Sequence, residues 1–278
     1  MQQKDGTMTR RPSSDAGFAA TPEDWVLSGP HFFLANPYNK TPRKVCTANG
    51  HYDIIDLETL PDDYLPRTNY RPMADKVEYL RRTPKAGWKQ EGCDDYFDIT
   101  DCSRFVLRKM IGSASERTLC GALMVTKAAH IHGCYSIAFK STQLACDFSS
   151  VASSLVADFL AKSTGRSNIN GIPEMLPLID SRMDVLERNL ALTCLTSHYA
   201  PLWEEMFDFK FVEQSWSQPD NPRLPHEFWA NLTRDWTRHC ALRSDYARRM
   251  ALLEIDVLIS QALGLALDEL QLIYRSEE

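Results

Sequence analysis

Three groups of side chains in this 278-residue chain have types and spacings suited to chemistry. His130, His132 and Cys134 alternate in HIHGC. On a β-strand residues two apart share a face, so all three would present metal-ligating atoms together. A closed zinc site needs a fourth ligand, none is positioned by spacing, and no metal is expected. Asp208-Phe209-Lys210 has the form of the last element of a nuclease motif, in which carboxylates hold Mg²⁺ and the lysine assists. Pro61-Asp62, the other element, is too distant in sequence to pair with it. No local motif joins a serine or cysteine nucleophile to a histidine, so no catalytic residue is expected. The third group is the loop Thr164-Gly165-Arg166-Ser167-Asn168-Ile169-Asn170. Arg166 can donate two parallel hydrogen bonds to guanine, Asn168 and Asn170 can pair bidentately with adenine, and Gly165 lets backbone approach a duplex closely. Asparagines also form turns and caps on their own account.

A net charge of −6 argues at first against a polyanionic partner, since neutralising phosphates supplies much of the affinity for DNA. The distribution is more informative. From Asp101 to Met175 there are eight Lys/Arg against five Asp/Glu, a local excess of three. Lys109, Arg117 and Lys162, with Arg108 and Lys140, suit phosphate contacts, which position a duplex without specifying its sequence.

The elements that must position these groups follow from pattern. Asp101 to Lys140 carries strand signals: Phe105-Val106-Leu107, Leu119 to Val125, and His130 to Phe139. From Gln143 to Lys162 the period changes, with Leu144, Phe148, Val151, Leu155 and Phe159 forming one helical stripe that Gly165 ends. Upstream, Trp25 to Tyr96 is rich in aromatics and in prolines (Pro30, Pro37, Pro42, Pro61, Pro66, Pro72 and Pro84), which favour short strands over long helices. Phe32 to Leu34 and Tyr52 to Leu57 are the expected strands there. Downstream, Asp180 or Ser181 is expected to cap a helix with Met183, Leu186 and Leu190 inward. Leu242, Tyr246, Met250, Leu253 and Val257 mark a long helix stopped at Gly264. Asp268 begins a last short helix with Leu270 and Ile273 inward, and Gln214 to Leu224 is a loop.

The length is enough for a genuine core. No apolar run approaches the roughly 20 residues of a membrane span, and the polar first 24 residues lack a secretory apolar centre and read as a disordered lead-in. A cytoplasmic location is expected, with the eight cysteines reduced and mostly buried, and the Asn231-Leu232-Thr233 sequon without meaning. The expected fold is α+β: lead-in 1–24, a loop- and strand-rich aromatic segment 25–100, a mixed-strand core 101–180, and a helical region 181–278.

Three stretches in this order carry a resemblance: WVLSGPHFFLANPYNKTPR with GHYDIIDLETLPDDYLPRTNY; SERTLCGALMVTKAAHIHGCYSIAFK with SSLVADFLAKSTGRSNIN and LPLID; and ALRSDYARRMALLEIDVLISQALGLALDELQLIY. Together they resemble the C-terminal, target-recognition portion of Eco57I-like (type IIG) adenine-specific DNA methyltransferases of restriction-modification systems. The helix ending at Asp158-Phe159 and the loop 164–170 are similar to a recognition module shared with type I specificity subunits. The resemblance implies a reader of double-stranded DNA, in a restriction-modification or phage-defence system; within it, side-chain chemistry assigns base reading to Arg166, Asn168 and Asn170 and phosphate contacts to the five cations. It also implies a methylase domain or subunit encoded separately. The glycine-rich turn that holds S-adenosylmethionine and the Asn-Pro-Pro-aromatic tetrapeptide are missing here. Asn36-Pro37-Tyr38 lacks the second proline and reads as a turn with a packed tyrosine. The cofactor is therefore expected on the methylase part and none on this chain. The other expectation is a truncated, non-catalytic remnant or interaction module whose helical C-terminus docks a methylase partner.

Overall fold

The computed structural model describes the chain apart from residues 1–5, 13, 49, 90, 91, 93, 113–116 and 278. Ser115 and Glu116 of the second quoted stretch, Cys93 and the start of the lead-in lie outside the described residues. The fold is α+β.

The proline-rich first third forms short antiparallel ladders. Strand β1 (Met8–Arg10), β2 (Gly17–Phe18), β3 (Val26–Leu27), β4 (Lys40–Pro42), β5 (Tyr52–Ile54), β6 (Arg67–Thr68) and β7 (Tyr70–Pro72) pair as β1 with β7, β2 with β6 and β4 with β5. A seven-residue helix α1 (Lys76–Arg82) and the hairpin of β8 (Lys85–Lys89) and β9 (Tyr96–Asp98) follow. The described part of the lead-in is thus folded, contrary to its polar composition. Ladder hydrogen bonds hold it, and Met8 is buried against Val26 and Ala129, so one apolar anchor and backbone pairing suffice. Phe32 to Leu34 is not a strand. Phe33 pairs only with Asn36 across a tight turn in which Ala35 has φ +45, while Phe32 and Leu34 are buried.

The centre is a three-stranded antiparallel sheet, with β10 (Arg104–Arg108) between β11 (Gly121–Met124) and a later strand, Cys134–Ala138. Gly121 is required at the close crossing, because a Cβ there would stand 2.5 Å from Phe105 Cε1 and 2.7 Å from the Val106 carbonyl oxygen. The run His130 to Phe139 is two strands. Strand β12 (Ala129–His130) pairs in parallel with β3, and a turn at 131–133 leads to β13 (Cys134–Ala138).

Helix α2 (Thr142–Ala152) packs across β10 and β11 and is followed by α3 (Leu155–Ser163) at a bend of 71°. The expected single helix breaks at Ser153-Ser154. Their hydroxyls donate back to the Ser149 and Val151 carbonyls, and Ser154 then caps α3 by accepting from Ala157 N–H. Phe159, beyond the break, falls off the buried stripe and is exposed, and Leu144 in the first turn of α2 is exposed as well. Among the described residues no single helix is long and apolar enough to cross a membrane.

Helix α4 (Met183–Thr193) packs between α2 and the long α6 (Asp245–Ala262), with α5 (Ala200–Met206) beside α2 and α7 (Leu267–Glu277) against α3. Neither Asp180 nor Ser181 caps α4. Arg182 occupies the cap position and binds Asp184 in the first turn. Ser244 caps α6, and Gly264, at φ +76, follows its end. The inward face of α6 is carried by Ala251, Ile255 and Ile259, and Leu253 is exposed. One apolar cluster runs through all of this, from Ala19 and Trp25 to Ile255 and Ile259. Trp25 stacks on Tyr38 at 5.6 Å, and the Tyr38 hydroxyl bonds Thr196 Oγ1 at 2.8 Å, tying the N-terminal ladders to the helical region.

Candidate nucleic-acid interface

At the open end of β10 the chain builds an exposed platform. Ile169 N–H donates to the Lys109 carbonyl and Ile111 N–H to the Ser167 carbonyl, so the loop after α3 runs as a short bridge beside Lys109 to Ile111. Ile169 and Ile172 are fully buried and pin the loop to the core, while Arg166 and Asn170 are exposed. Gly165 (φ +63) and Gly171 (φ +76) make the two reversals. A Cβ on Gly171 would also meet Arg166 Nη1 at 2.6 Å.

Arg166 Nη1 donates to the Asn170 carbonyl at 2.6 Å, which holds the guanidinium over its own loop; among the described residues its other donors have no partner. Asn170 uses its backbone carbonyl and N–H in this loop, and among the described residues its side-chain amide has no hydrogen-bond partner. Asn168 differs: its Oδ1 accepts from Asn170 N–H at 3.1 Å in a local turn, and it is half-buried. Bidentate pairing with adenine uses both the oxygen and the nitrogen of the amide, so Asn168 shapes the loop rather than offering both.

The cations divide. Lys109 lies on the platform, its ammonium donating to His132 Nε2 at 2.9 Å, and Lys162 sits on the last turn of α3 before the loop. Arg108 is half-buried, donating to the Gly29 and Phe32 carbonyls at 2.9 and 2.8 Å with its guanidinium over the Phe33 ring. Arg117 is inside the protein, paired at 3.1 Å with Asp256, with side chains 13% and 6% exposed. That excludes a phosphate contact. Lys140 is exposed, but β13 runs from Cys134 opposite Arg108 to Ala138 opposite Arg104, so it lies about 20 Å along the sheet from the platform at ~3.3 Å per residue.

The remaining motifs take structural places. His130 Nε2 bonds Ser136 Oγ at 2.8 Å, and burial lowers its pKa; His132 faces Lys109, and Cys134 is buried with its thiol pushed up to about 12. The turn at 131–133 is what separates them, and no group able to hold a metal is found among the described residues. The seven described cysteines are buried, and no disulfide joins any of them. Asp208 caps its own turn by accepting from Lys210 N–H, and Asp62 pairs with Arg238. Asn36 Oδ1 accepts from Tyr38 N–H in the turn that buries Tyr38.

Beside the platform a cleft of about 440 Å³ opens between the N-terminal ladders and the end of β10, with Arg10, Lys40 and Arg108 in its lining. No pattern in the sequence joins Arg10 and Lys40 to the basic stretch, from which they lie far along the chain. Only the pairing of β1 and β4 into the ladders brings them to Arg108, and the adjacent Arg10-Arg11 was the sole local signal.

Comparison of the chain with protein-family models, with curated proteins and with solved structures finds no match in any of the three.

Proposed function

We propose that the chain is a DNA-binding specificity module that reads duplex DNA for an adenine-specific methyltransferase of a restriction-modification or phage-defence system. The methyl transfer and the S-adenosylmethionine belong to a methylase part outside these 278 residues. One observation carries the reading most: an exposed guanidinium and a free asparagine amide are held on a core-anchored loop, with Lys109 and Lys162 beside them and a cation-lined cleft adjoining, in a chain that is acidic overall. A rigid presentation of base-reading donors flanked by phosphate-positioning cations is what sequence discrimination requires. Base reading falls to Arg166 and Asn170, and phosphate contacts to Lys109 and Lys162.

The test is selection of a preferred duplex from random sequence by the full chain, followed by affinity for that duplex and for a scrambled one at fixed salt. A preferred sequence whose advantage shrinks on Arg166→Ala supports the reading, and equal affinity for all duplexes ends it. The partner-docking alternative has its own observation. Leu267 and Tyr274, seven residues apart on α7 and so on one helical face, are 67% and 52% exposed. A chain that binds the methylase part through α7 and shows no salt-sensitive duplex affinity fits that alternative.

A further inference from the structure

We infer that the cleft beside the platform binds a phosphate-bearing nucleotide whose base carries an exocyclic amine; the DNA reading above enters only in deciding whether that nucleotide belongs to a duplex. The described lining holds three cations and no carboxylate, although the chain has 37 Asp/Glu against 31 Lys/Arg. Lys40 is half-buried, and among the described residues it has no side-chain partner or counter-ion, so its ammonium is partly removed from water without a carboxylate beside it. The Arg108 guanidinium is already fixed by two backbone carbonyls through Nε and Nη2, which leaves Nη1 uncommitted and little side-chain freedom to lose on binding. Arg10 stands exposed among the lining residues. Three cations around one cleft with no carboxylate among its lining suit an anionic ligand.

The floor asks for more than an anion. Asn69 Nδ2 donates to the Tyr52 hydroxyl at 2.9 Å and to Cys46 Sγ at 3.4 Å, which fixes the amide and leaves Oδ1 as an acceptor with no partner. Tyr52 is anchored in turn by Ser28 Oγ at 2.9 Å, and Ser28 by the buried His31, whose Nε2 is held on the Arg67 carbonyl. Tyr70, Met110 and Ile131 add apolar wall. A planar ring with an amine donor uses both the walls and the Asn69 acceptor, while its phosphate meets Lys40 and the arginines. The volume lies within the range of small-ligand sites.

Calorimetric titration of the full chain at one low salt concentration, with inorganic phosphate, dAMP and dIMP, tests this. dAMP is expected to bind at least tenfold tighter than inorganic phosphate and several-fold tighter than dIMP, which lacks the amine. Lys40→Met should weaken dAMP at least tenfold. Asn69→Leu should erase the difference between dAMP and dIMP and keep phosphate affinity. Exposed Arg234→Ala serves as the control, with wild-type binding. Lys40 is outside the apolar core, so its variant keeps the test readable if Asn69→Leu does not fold. Equal affinity for phosphate and dAMP, or a folded Lys40→Met that binds dAMP normally, overturns the assignment. A duplex that displaces dAMP places the nucleotide in the DNA, and independent binding makes it a free mononucleotide. Duplex binding without any mononucleotide binding removes the cleft site and leaves the DNA reading standing.

Discussion

Arg117 and Arg166 have the same side chain, come from one basic stretch and suit anion contacts equally well on paper, yet they lie in opposite environments. Arg166 is exposed on a loop between two positive-φ glycines and donates to its own backbone. Arg117 lies where α6 meets α3, paired with Asp256, whose other oxygen accepts from Leu155 N–H at the start of α3, while neighbouring Asp158 accepts from Thr118 and Leu119 N–H. Burial pushes the Asp256 carboxyl up to about 6, with Arg117 acting to lower it. The first arginine leaves donors for a ligand, and the second is consumed in holding two helices and a turn together. Charge counted along a sequence does not separate these roles.

The contrast is broken most directly at Arg117. Arg117→Ala leaves Asp256 buried without its cation, a change that typically costs about 3 to 5 kcal/mol of stability. Chemical denaturation should show that loss, and duplex affinity measured well below the new Tm should keep the wild-type salt slope. A lowered slope with unchanged stability would return Arg117 to the surface.

The buried anchor of the cleft offers the next effect. Desolvation lowers the His31 pKa to about 4 from an ordinary value of 6.5, so below pH 6.5 the unfolded chain binds a proton that the folded chain refuses. Stability contributed by neutral His31 is complete above pH 6.5 and is lost as pH falls toward 4, by about 3 kcal/mol at ~1.4 kcal/mol per pKa unit. Asp256 works in the opposite direction, because its raised pKa makes stability fall as pH rises from about 4 to about 6. Comparing wild type with His31→Gln by denaturation at pH 6.5 and pH 4.5 isolates the histidine. Parallel losses in both proteins would contradict its assignment.

On the exposed side, Arg166→Ala should cost about 1 to 3 kcal/mol on the preferred duplex, the usual range for one bidentate base contact, with much less on scrambled DNA. Unfolding free energy should move by no more than ~0.5 kcal/mol, as at an ordinary surface position. A smaller change is expected from Lys109→Ala, namely a uniform weakening across sequences and a salt slope reduced by about one. A changed sequence preference would make Lys109 a base reader. Smallest of all is the response to S-adenosylmethionine, where calorimetry should register no binding, since the glycine-rich turn and the Asn-Pro-Pro-aromatic tetrapeptide are missing from the sequence. One-to-one binding at micromolar strength would contradict that expectation.

What the sequence determined by itself were local matters. Apolar runs marked β10 and β11, helical periodicity marked α4 and the presence of α6 though not its inward face, and glycine marked the ends of α3 and α6, because propensity and capping act within a few residues. The Gln214 to Leu224 loop and the Asn36 turn were legible for the same reason. Tertiary structure decided the rest. Serine hydroxyls at 153 and 154, with Asp256 receiving Leu155 N–H from across the fold, turned one amphipathic run into two helices. A three-residue turn dispersed His130, His132 and Cys134, and antiparallel register carried Lys140 to the far end of the sheet. Pairing of β1 and β4 into the ladders brought Arg10 and Lys40 to Arg108. Whether a charged side chain faces water, a carboxylate or a carbonyl depends on segments a hundred or more residues away, as Arg117 and Asp256 show, and no local pattern encodes that distance.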